Sequence, residues 1–278
     1  MLWPVIARLV GPVLDLQGHV DVSKVAVQIE SDDLIAGLGR GLAVIECFDD
    51  EHARLTPAEV AERTLISRTA ARRYLLSLCH FGYARTNGKV FWLAPRVLRL
   101  GQSYLLSARL PRLAQPFLEQ LFNATQSTAG LAVLDEHEVI YLARHSGTRA
   151  KNAGVQLGAR LPAHVVSVGR AILMSFSDSA LDEWIAAHRF ACFTQFSEND
   201  PSHFREEIVR MRELNYAMAD QQLELGWRGL AVPLRDRHGE CLGALSVTMP
   251  VEGMSVDAML ACALPPLREA QAGLRALL

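Results

Sequence analysis

The hydrophobic positions of residues 34–93 first follow helical spacing and then form short apolar runs, which predicts three helices followed by two strands. Residues 56–59 (TPAE) supply a capping hydroxyl, a proline at the first helical position and the glutamate of a capping box. Asn-Gly at positions 87–88, between two apolar runs, is a strong hairpin signal. This order of elements is typical of a winged helix-turn-helix. The predicted elements are helices at 34–48, 57–63 and 68–80 and strands at 83–86 and 89–93.

The remainder of the chain mixes helical segments with strands joined by hairpin turns, which predicts an antiparallel α+β domain. We place the boundary between the two domains in a linker helix at 95–110. The chain then comprises an N-terminal extension of unknown role (1–33), a winged helix-turn-helix domain (34–94), the linker helix and an α+β domain (111–278). The helices predicted after residue 94 are 95–107, 111–123, 164–175, 179–188, 201–214 and 255–277, and the strands are 129–134, 139–144, 217–220, 230–235 and 241–249.

Charge separates the same parts of the chain. The 278 residues are 50% hydrophobic and 21% charged with a formal net charge of −2, which describes a globular protein of about two domains. Residues 34–101 carry a net charge of +4, whereas residues 1–33 and residues 102–278 each carry −3. Such asymmetry points to a nucleic-acid-binding module within an otherwise mildly acidic protein.

Cysteine and histidine spacing argues against a metal centre. The five cysteines and nine histidines are scattered without the close pairs that metal sites require, so we expect reduced thiols, no metal and no cofactor. The apolar stretch at 2–16 is interrupted by Arg8 and by prolines, and no stretch reaches the roughly 20 apolar residues of a membrane span. We therefore expect a cytoplasmic protein without a membrane segment.

The predicted helix at 68–80 has the properties of a DNA-reading helix. Its apolar positions lie on one side, its arginines lie around the other, and no acidic residue occurs between positions 67 and 99. A recognition helix presents its first residues to base edges in the major groove of DNA. The start of the preceding helix attracts a DNA phosphate, and a lysine at the wing tip contacts the DNA backbone. The alternatives are a solvated charged face or a surface that docks on protein. The candidate DNA-binding residues are Thr56, Ser67, Arg68, Thr69, Arg72, Arg73 and Lys89.

Enzyme motifs are incomplete. The glycines at 37–41 open a helix with no strand before them, so they are not a dinucleotide-binding fingerprint. Ser167 lacks the first glycine of a nucleophile elbow, because Val165 occupies that position. The alternative function, a hydrolase-like enzyme with a fused helical interaction domain, requires Ser167, His164 and Asp220 to meet within hydrogen-bonding reach.

Six segments resemble, in the same order, the IclR family of bacterial transcription regulators, and especially its branch that governs aromatic-acid catabolism. They are GRGLAVIECF, LTPAEVAERTLISRTAARRYLLSLCHFGYAR, LAVLDEHEVIYLAR, LGARLPAHVVSVGRAIL, DQQLELGWRGLAVPLRD and GALSVTMP. The resemblance spans residues 34–278. Leu65 departs from it, because the family usually has glycine between the second and third helices. A positive φ at Leu65 would cost roughly 1 kcal/mol.

The resemblance implies a one-component regulator that is not an enzyme, with a GAF-like effector-binding domain. Its implied partners are double-stranded operator DNA and a small organic acid, aromatic or derived from ring cleavage. One recognition helix per chain buries little surface, so we expect a homodimer or a dimer of dimers. The implied ligand-binding residues are Ser167, Val168, Asp220, Glu224, Gly229, Ser246 and Thr248, with Arg144 and Arg228 as partners of a carboxylate.

Overall fold

The structure, a computed structural model, describes residues 33–49, 51–147 and 156–278. The chain divides after Ser107 into two compact units, which are described separately. The extension predicted at 1–33 lies outside the described residues except for Asp33. None of the described helices has the combination of length and apolar content that a bilayer crossing requires.

The first unit contains the predicted helices and hairpin. Thr56 caps the second helix through a capping box, in which its amide donates to Glu59 Oε2 over 2.7 Å. Ser67 caps the third helix by accepting the amide of Ala70 over 3.2 Å. Val44, Leu55, Val60, Ala71, Leu75 and Phe91 form its buried core. The elements are α1 (Ala36–Glu46), α2 (Pro57–Thr64), α3 (Arg68–His80), β1 (Ala84–Thr86), β2 (Phe91–Leu93) and α4 (Leu98–Ser107).

The wing is longer than a two-residue Asn-Gly turn. The side-chain oxygen of Asn87 accepts the amides of Lys89 and Val90 over 3.1 and 3.0 Å, which closes a four-residue loop. The prediction that a strand begins at residue 89 is therefore wrong, because β2 begins at Phe91. Lys89 lies exposed within this loop.

Leu65 ends α2 in the left-handed conformation, with φ 55° and ψ 30°, and its side chain is 76% exposed. We expect Leu65→Gly to raise the free energy of unfolding by roughly 0.5–1 kcal/mol, because glycine adopts this conformation without steric cost and little burial is lost. Urea unfolding measures the difference. Leu65→Ala is the matched control, because it retains the Cβ and gains nothing. Equal stability of the glycine and alanine variants would contradict this account of the turn.

The helix predicted at 95–107 begins later, and the break predicted between residues 107 and 111 is present but shorter. Residues Pro95–Val97 form a 3-10 turn, α4 follows, and the chain becomes extended at Ala108 before α5 (Arg109–Thr125) begins. The division between the two units falls at this break. The domain limits themselves remain our prediction.

The second unit is built on a six-stranded antiparallel sheet in the order β5-β4-β3-β8-β7-β6, which confirms the predicted fold class. Helix α6 packs against one face of the sheet, and α5 and α9 pack against the other. The short strand β5 is absent from our predictions, and α6 begins at Ser167 because a 3-10 turn occupies the preceding residues. The elements are β3 (Thr128–Asp135), β4 (Glu138–His145), β5 (Arg160–Pro162), α6 (Ser167–Leu173), α7 (Asp178–Ala187), α8 (Pro201–Leu214), β6 (Ala217–Asp220), β7 (Trp227–Arg235), β8 (Cys241–Pro250) and α9 (Val256–Arg275).

Candidate functional site

Helix α3 presents an exposed basic surface. Ala71 and Leu75 bury one side of α3 in the core of the first unit. Ser67, Arg68, Thr69, Arg72 and Arg73 are exposed. No carboxylate in the described ranges lies within the 4.0 Å of an ion pair from the three arginines of this group. Their guanidinium groups are therefore available to an external anion.

Other polar residues of this unit form hydrogen bonds and ion pairs that stabilise its fold. Arg63 donates to the Cys47 carbonyl over 2.9 Å and pairs with Asp49 over 2.5 Å, which ties α2 to the end of α1. The Thr56 hydroxyl donates to Glu59 over 2.8 Å. Thr56 must therefore share its hydroxyl with the capping box if it also contacts phosphate.

A cavity of about 90 Å³ lies in the second unit, several times the roughly 10–15 Å³ that one water requires and below the roughly 300–1,000 Å³ typical of small-molecule sites. Four of the nine predicted ligand-binding residues line it, namely Ser167, Glu224, Gly229 and Thr248. Gly229 allows Ser167 to approach the sheet, because a Cβ at Gly229 would lie 2.6 Å from Ser167 Oγ. The remaining lining residues are Tyr141, Leu161, Val165, Val166, Ala219, Gln222, Leu223 and Trp227.

Strand register places Arg144 and Ser246 beside this cavity. Arg144 pairs with Gly130, Gly130 with Ser246 and Ser246 with Ala231 across neighbouring strands. Directly paired residues share a face of the sheet, and Ala231 shares the face of Gly229. The row therefore lies on the cavity face.

Polar groups at this face influence one another. Burial raises the pKa of Tyr141 to about 12, although a hydrogen bond with Ser246 and the charge of Arg144 act in the opposite direction. Burial also lowers the pKa of the Arg144 guanidinium. Arg144 Nε is buried and has no hydrogen-bond partner in the described part of the chain. This unmatched positive group beside an aromatic cavity is suited to a carboxylate ligand.

The other predicted ligand-binding residues lie elsewhere. Asp220 and Arg228 are paired residues of β6 and β7, and each adjoins a cavity-lining residue in sequence, Ala219 or Gly229. Because side chains alternate between the two faces of a strand, Asp220 and Arg228 face away from the cavity. Arg228 donates to Asp220 over 2.8 Å and to the Met254 carbonyl over 3.0 Å. Val168 is fully buried in the core.

Sequence reasoning did not identify Tyr141 and Trp227 as lining residues. An aromatic side chain in a predicted strand is usually an ordinary core or surface residue. The strand order of the sheet brings Tyr141 and Trp227 to one cavity, and the sequence does not display that order. Gln222 and Leu223, in the segment before β7, were also outside the predicted set. Their proximity to the predicted Glu224 was the available signal.

The residues proposed for an enzymatic relay do not form one. His164 Nε2 lies 3.0 Å from the Ala191 carbonyl and His164 Nδ1 lies 2.8 Å from His188 Nε2. Both ring nitrogens of His164 are thus engaged away from Ser167, and Asp220 is bound to Arg228. Burial and the neighbouring His164 and His137 lower the pKa of His188 to about 3, so this imidazole is neutral at physiological pH.

Glu198, His203 and Glu207 bring potential metal-ligating atoms within 4.8 Å of one another. Protein groups already neutralise this set of side chains. Glu207 pairs with Arg170 over 2.9 Å, and His203 Nδ1 is hydrogen-bonded to Glu198. The positive charge of Arg170 beside Glu207 disfavours a cation at this position.

Comparisons with known proteins cover both units. The IclR helix-turn-helix domain matches residues 37–88, and the C-terminal domain of bacterial transcriptional regulator IclR matches residues 102–273. The p-hydroxybenzoate hydroxylase transcriptional activator of Acinetobacter baylyi is 39% identical over 253 residues, which span 89% of this chain and 93% of that protein.

Solved structures show the same architecture. An IclR homologue from Microbacterium hydrocarbonoxydans, complexed with 4-hydroxybenzoate, is 25% identical with a TM-score of 0.70, covering 87% of this chain and 98% of that one. The inducer-binding domain of a PobR double mutant from Acinetobacter, complexed with 3-hydroxybenzoic acid, is 31% identical with a TM-score of 0.58. That similarity covers 62% of this chain and the whole of that domain. The chain belongs to the IclR family of bacterial transcriptional regulators, with a helix-turn-helix DNA-binding domain and an effector-binding C-terminal domain.

Proposed function

We propose that the chain regulates transcription in response to a hydroxybenzoate-type aromatic acid that binds in the cavity between α6 and the sheet. The observation that carries this proposal is the position of Arg144 on the cavity face beside Tyr141, where this arginine has no carboxylate partner among the described residues. The relatives named above support an aromatic effector, because one activates a p-hydroxybenzoate hydroxylase gene and two solved relatives hold hydroxybenzoates.

The chemistry of the cavity suits such a ligand. Small-molecule sites are mainly apolar with a few placed polar groups, and an aromatic ring gains from packing on Tyr141 and Trp227. The carboxylate lies toward Arg144 in this proposal, away from the exposed carboxylate of Glu224 at the mouth. Ser167 and Thr248 supply hydroxyls along the wall, and Ser246 acts through Tyr141.

Tryptophan fluorescence tests this binding directly, because Trp227 lines the cavity. Titration with 4-hydroxybenzoate is expected to change the emission of the wild-type chain in a saturable manner, and Trp227→Phe is expected to remove most of that change. Cyclohexanol, a ring without a carboxylate, serves as the comparison ligand and is expected to bind more weakly. Absence of saturable binding of 4-hydroxybenzoate by calorimetry as well would contradict the proposed effector class.

DNA binding is assigned to α3 and the wing. The proposed contact residues are Ser67 at the cap of α3, Arg68, Thr69, Arg72 and Arg73 on α3, Lys89 on the loop and Thr56 at the start of α2. Support comes from the exposure of the α3 arginines and from the lack of an ion-pair partner for them in the described ranges. We further propose a homodimer on a repeated operator, because a single recognition helix contacts too few base pairs for useful specificity.

Arg72→Ala is expected to weaken operator binding by roughly 1–3 kcal/mol, because an arginine in the major groove bonds guanine through two donors. The measurement is a fluorescence-anisotropy titration with the DNA upstream of the gene. Arg99→Ala is the matched control, because Arg99 is an exposed arginine of the same unit on α4 rather than α3. Equal affinities of the two variants would remove Arg72 from the proposed contact surface.

A further inference from the structure

A second cavity of about 520 Å³ lies in the effector-binding domain, formed by the α8–β6 turn, the β7–β8 turn and the last turns of α9. Its volume falls within the roughly 300–1,000 Å³ typical of small-molecule sites. It shares no lining residue with the cavity beside Arg144. Its lining residues are Asn215, Arg235, Arg237, Gln271, Ala272, Arg275 and Ala276.

Three of these lining residues are arginines, and backbone carbonyls hold each in place. Arg235 donates to the Gly239 carbonyl over 3.2 Å, Arg237 to the Ala276 carbonyl over 3.0 Å, and Arg275 to the Asp236 carbonyl over 3.2 Å. Each bond uses one N–H of a guanidinium group that has five, so several donors of each arginine remain unused. The carbonyl bonds orient the groups without neutralising them.

No carboxylate within the described residues lies close enough to form an ion pair with Arg235, Arg237 or Arg275. Asp236, which lies between two of them in sequence, directs its carboxylate into its own turn, where Oδ1 accepts the amides of His238 and Glu240 over 2.8 and 2.9 Å. Five other arginines of the same domain do pair with a carboxylate, namely Arg160, Arg170, Arg205, Arg212 and Arg228.

We propose that this cavity binds a small ligand with two or more negative charges, held by the guanidinium groups of Arg235, Arg237 and Arg275. Guanidinium groups match the oxygen spacing of both phosphate and carboxylate, so the class is defined by charge and size. The side-chain amides of Asn215 and Gln271 line the same wall and can donate to further oxygens. The site gives the domain a second ligand-binding position, separate from the aromatic-acid cavity.

Two probes distinguish the sources of the negative charge. Pyrophosphate represents phosphate-bearing ligands, and succinate represents dicarboxylates. Each is titrated into the full-length chain by calorimetry, against sodium chloride of equal ionic strength. We expect saturable binding of at least one probe, and binding of neither would overturn the proposal.

Variants separate this cavity from the basic surface of the DNA-binding domain, which also attracts anions. The double variant Arg237→Gln/Arg275→Gln is expected to weaken binding of the effective probe by roughly tenfold or more, because it removes two charge-assisted contacts. Arg189→Gln/Arg210→Gln is the matched control, because it removes two exposed charges of the same domain outside the cavity. Equal affinities of the two double variants would overturn the proposal.

If the double variant fails to fold, the single variant Arg237→Gln decides the question, because Arg237 lies exposed on the β7–β8 turn. It is expected to bind the effective probe at least about threefold more weakly than the wild-type chain, through loss of one charge-assisted contact. Unchanged affinity of this variant would overturn the proposal. Binding of 4-hydroxybenzoate by Arg237→Gln is expected to equal that of the wild-type chain, since the two cavities share no residue.

Discussion

Replacement of Arg170 by methionine is expected to lower the free energy of unfolding of the effector-binding domain by roughly 3 kcal/mol, because three acceptors lose their donor at roughly 1–3 kcal/mol each. Arg170 is fully buried in α6. Its guanidinium group donates to the His164 carbonyl over 2.7 Å, to Glu207 over 2.9 Å and to the Gln222 side chain over 2.6 Å. Methionine fills much of the same volume but leaves all three acceptors without this donor.

Loss of the Arg170 hydrogen bonds is also expected to weaken ligand binding in the aromatic-acid cavity. Gln222 lines that cavity. Arg170 donates hydrogen bonds both to the Gln222 side chain and to the His164 carbonyl in the turn that precedes α6. Thermal unfolding with and without 4-hydroxybenzoate measures both consequences, a lower midpoint and a smaller ligand-induced gain.

Arg205→Met is the control for Arg170→Met. Arg205 is half-exposed and pairs with Asp182 over 2.5 Å, and such surface pairs contribute only about 0–1 kcal/mol. The same substitution is therefore expected to have a small effect at Arg205 and a large effect at Arg170. Comparable losses at the two positions would show that Arg170 does not have the structural role that its hydrogen bonds indicate.

Arg144→Met is expected to weaken 4-hydroxybenzoate binding roughly 10–150-fold, because hydrogen bonds to a charged partner contribute about 1.5–3 kcal/mol. The variant removes the charge from the cavity face but leaves the aromatic wall of Tyr141 and Trp227 in place. Stability is expected to change little, because Arg144 has no hydrogen bond or ion pair to lose within the described residues.

The control for this loss is Arg189→Met, which removes an exposed arginine charge from the same domain away from the cavity. Calorimetric titration of both variants separates the local contact from a general loss of positive charge. Affinities within threefold of each other would place the ligand carboxylate elsewhere in the cavity.

Much of the fold follows from local sequence signals. The capping box at residues 56–59 and the cap at Ser67 appear in the structure at the predicted places, and five of the six strands of the sheet lie within three residues of their predicted bounds. These signals act over a few residues, so the sequence displays them directly. The wing loop is wider than predicted because Asn87 accepts the amides of Lys89 and Val90 within it, and the linker helix begins later than predicted because Pro95–Val97 form a 3-10 turn.

The residues that line the aromatic-acid cavity were harder to predict from the sequence. Period-two alternation correctly groups Ser246 and Thr248 on one face, but the side of the sheet that α6 covers depends on topology. Asp220 and Arg228 therefore lie on the opposite face from Gly229, one residue away in register. Tyr141 reaches the cavity because β4 and β8 flank β3, and β3 pairs with β8 through residues such as Gly130 and Ser246, which are 116 positions apart.

The most direct test of a regulator that senses an aromatic acid is its affinity for operator DNA with and without saturating 4-hydroxybenzoate. Allosteric coupling of typical size predicts a change of about 5–150-fold in either direction, and the DNA must change the affinity for the ligand by the same factor. We expect sequence-specific binding whose strength shifts with the ligand in the wild-type chain and not in Arg144→Met. Identical operator affinities of the wild-type chain with and without the ligand would contradict this expectation.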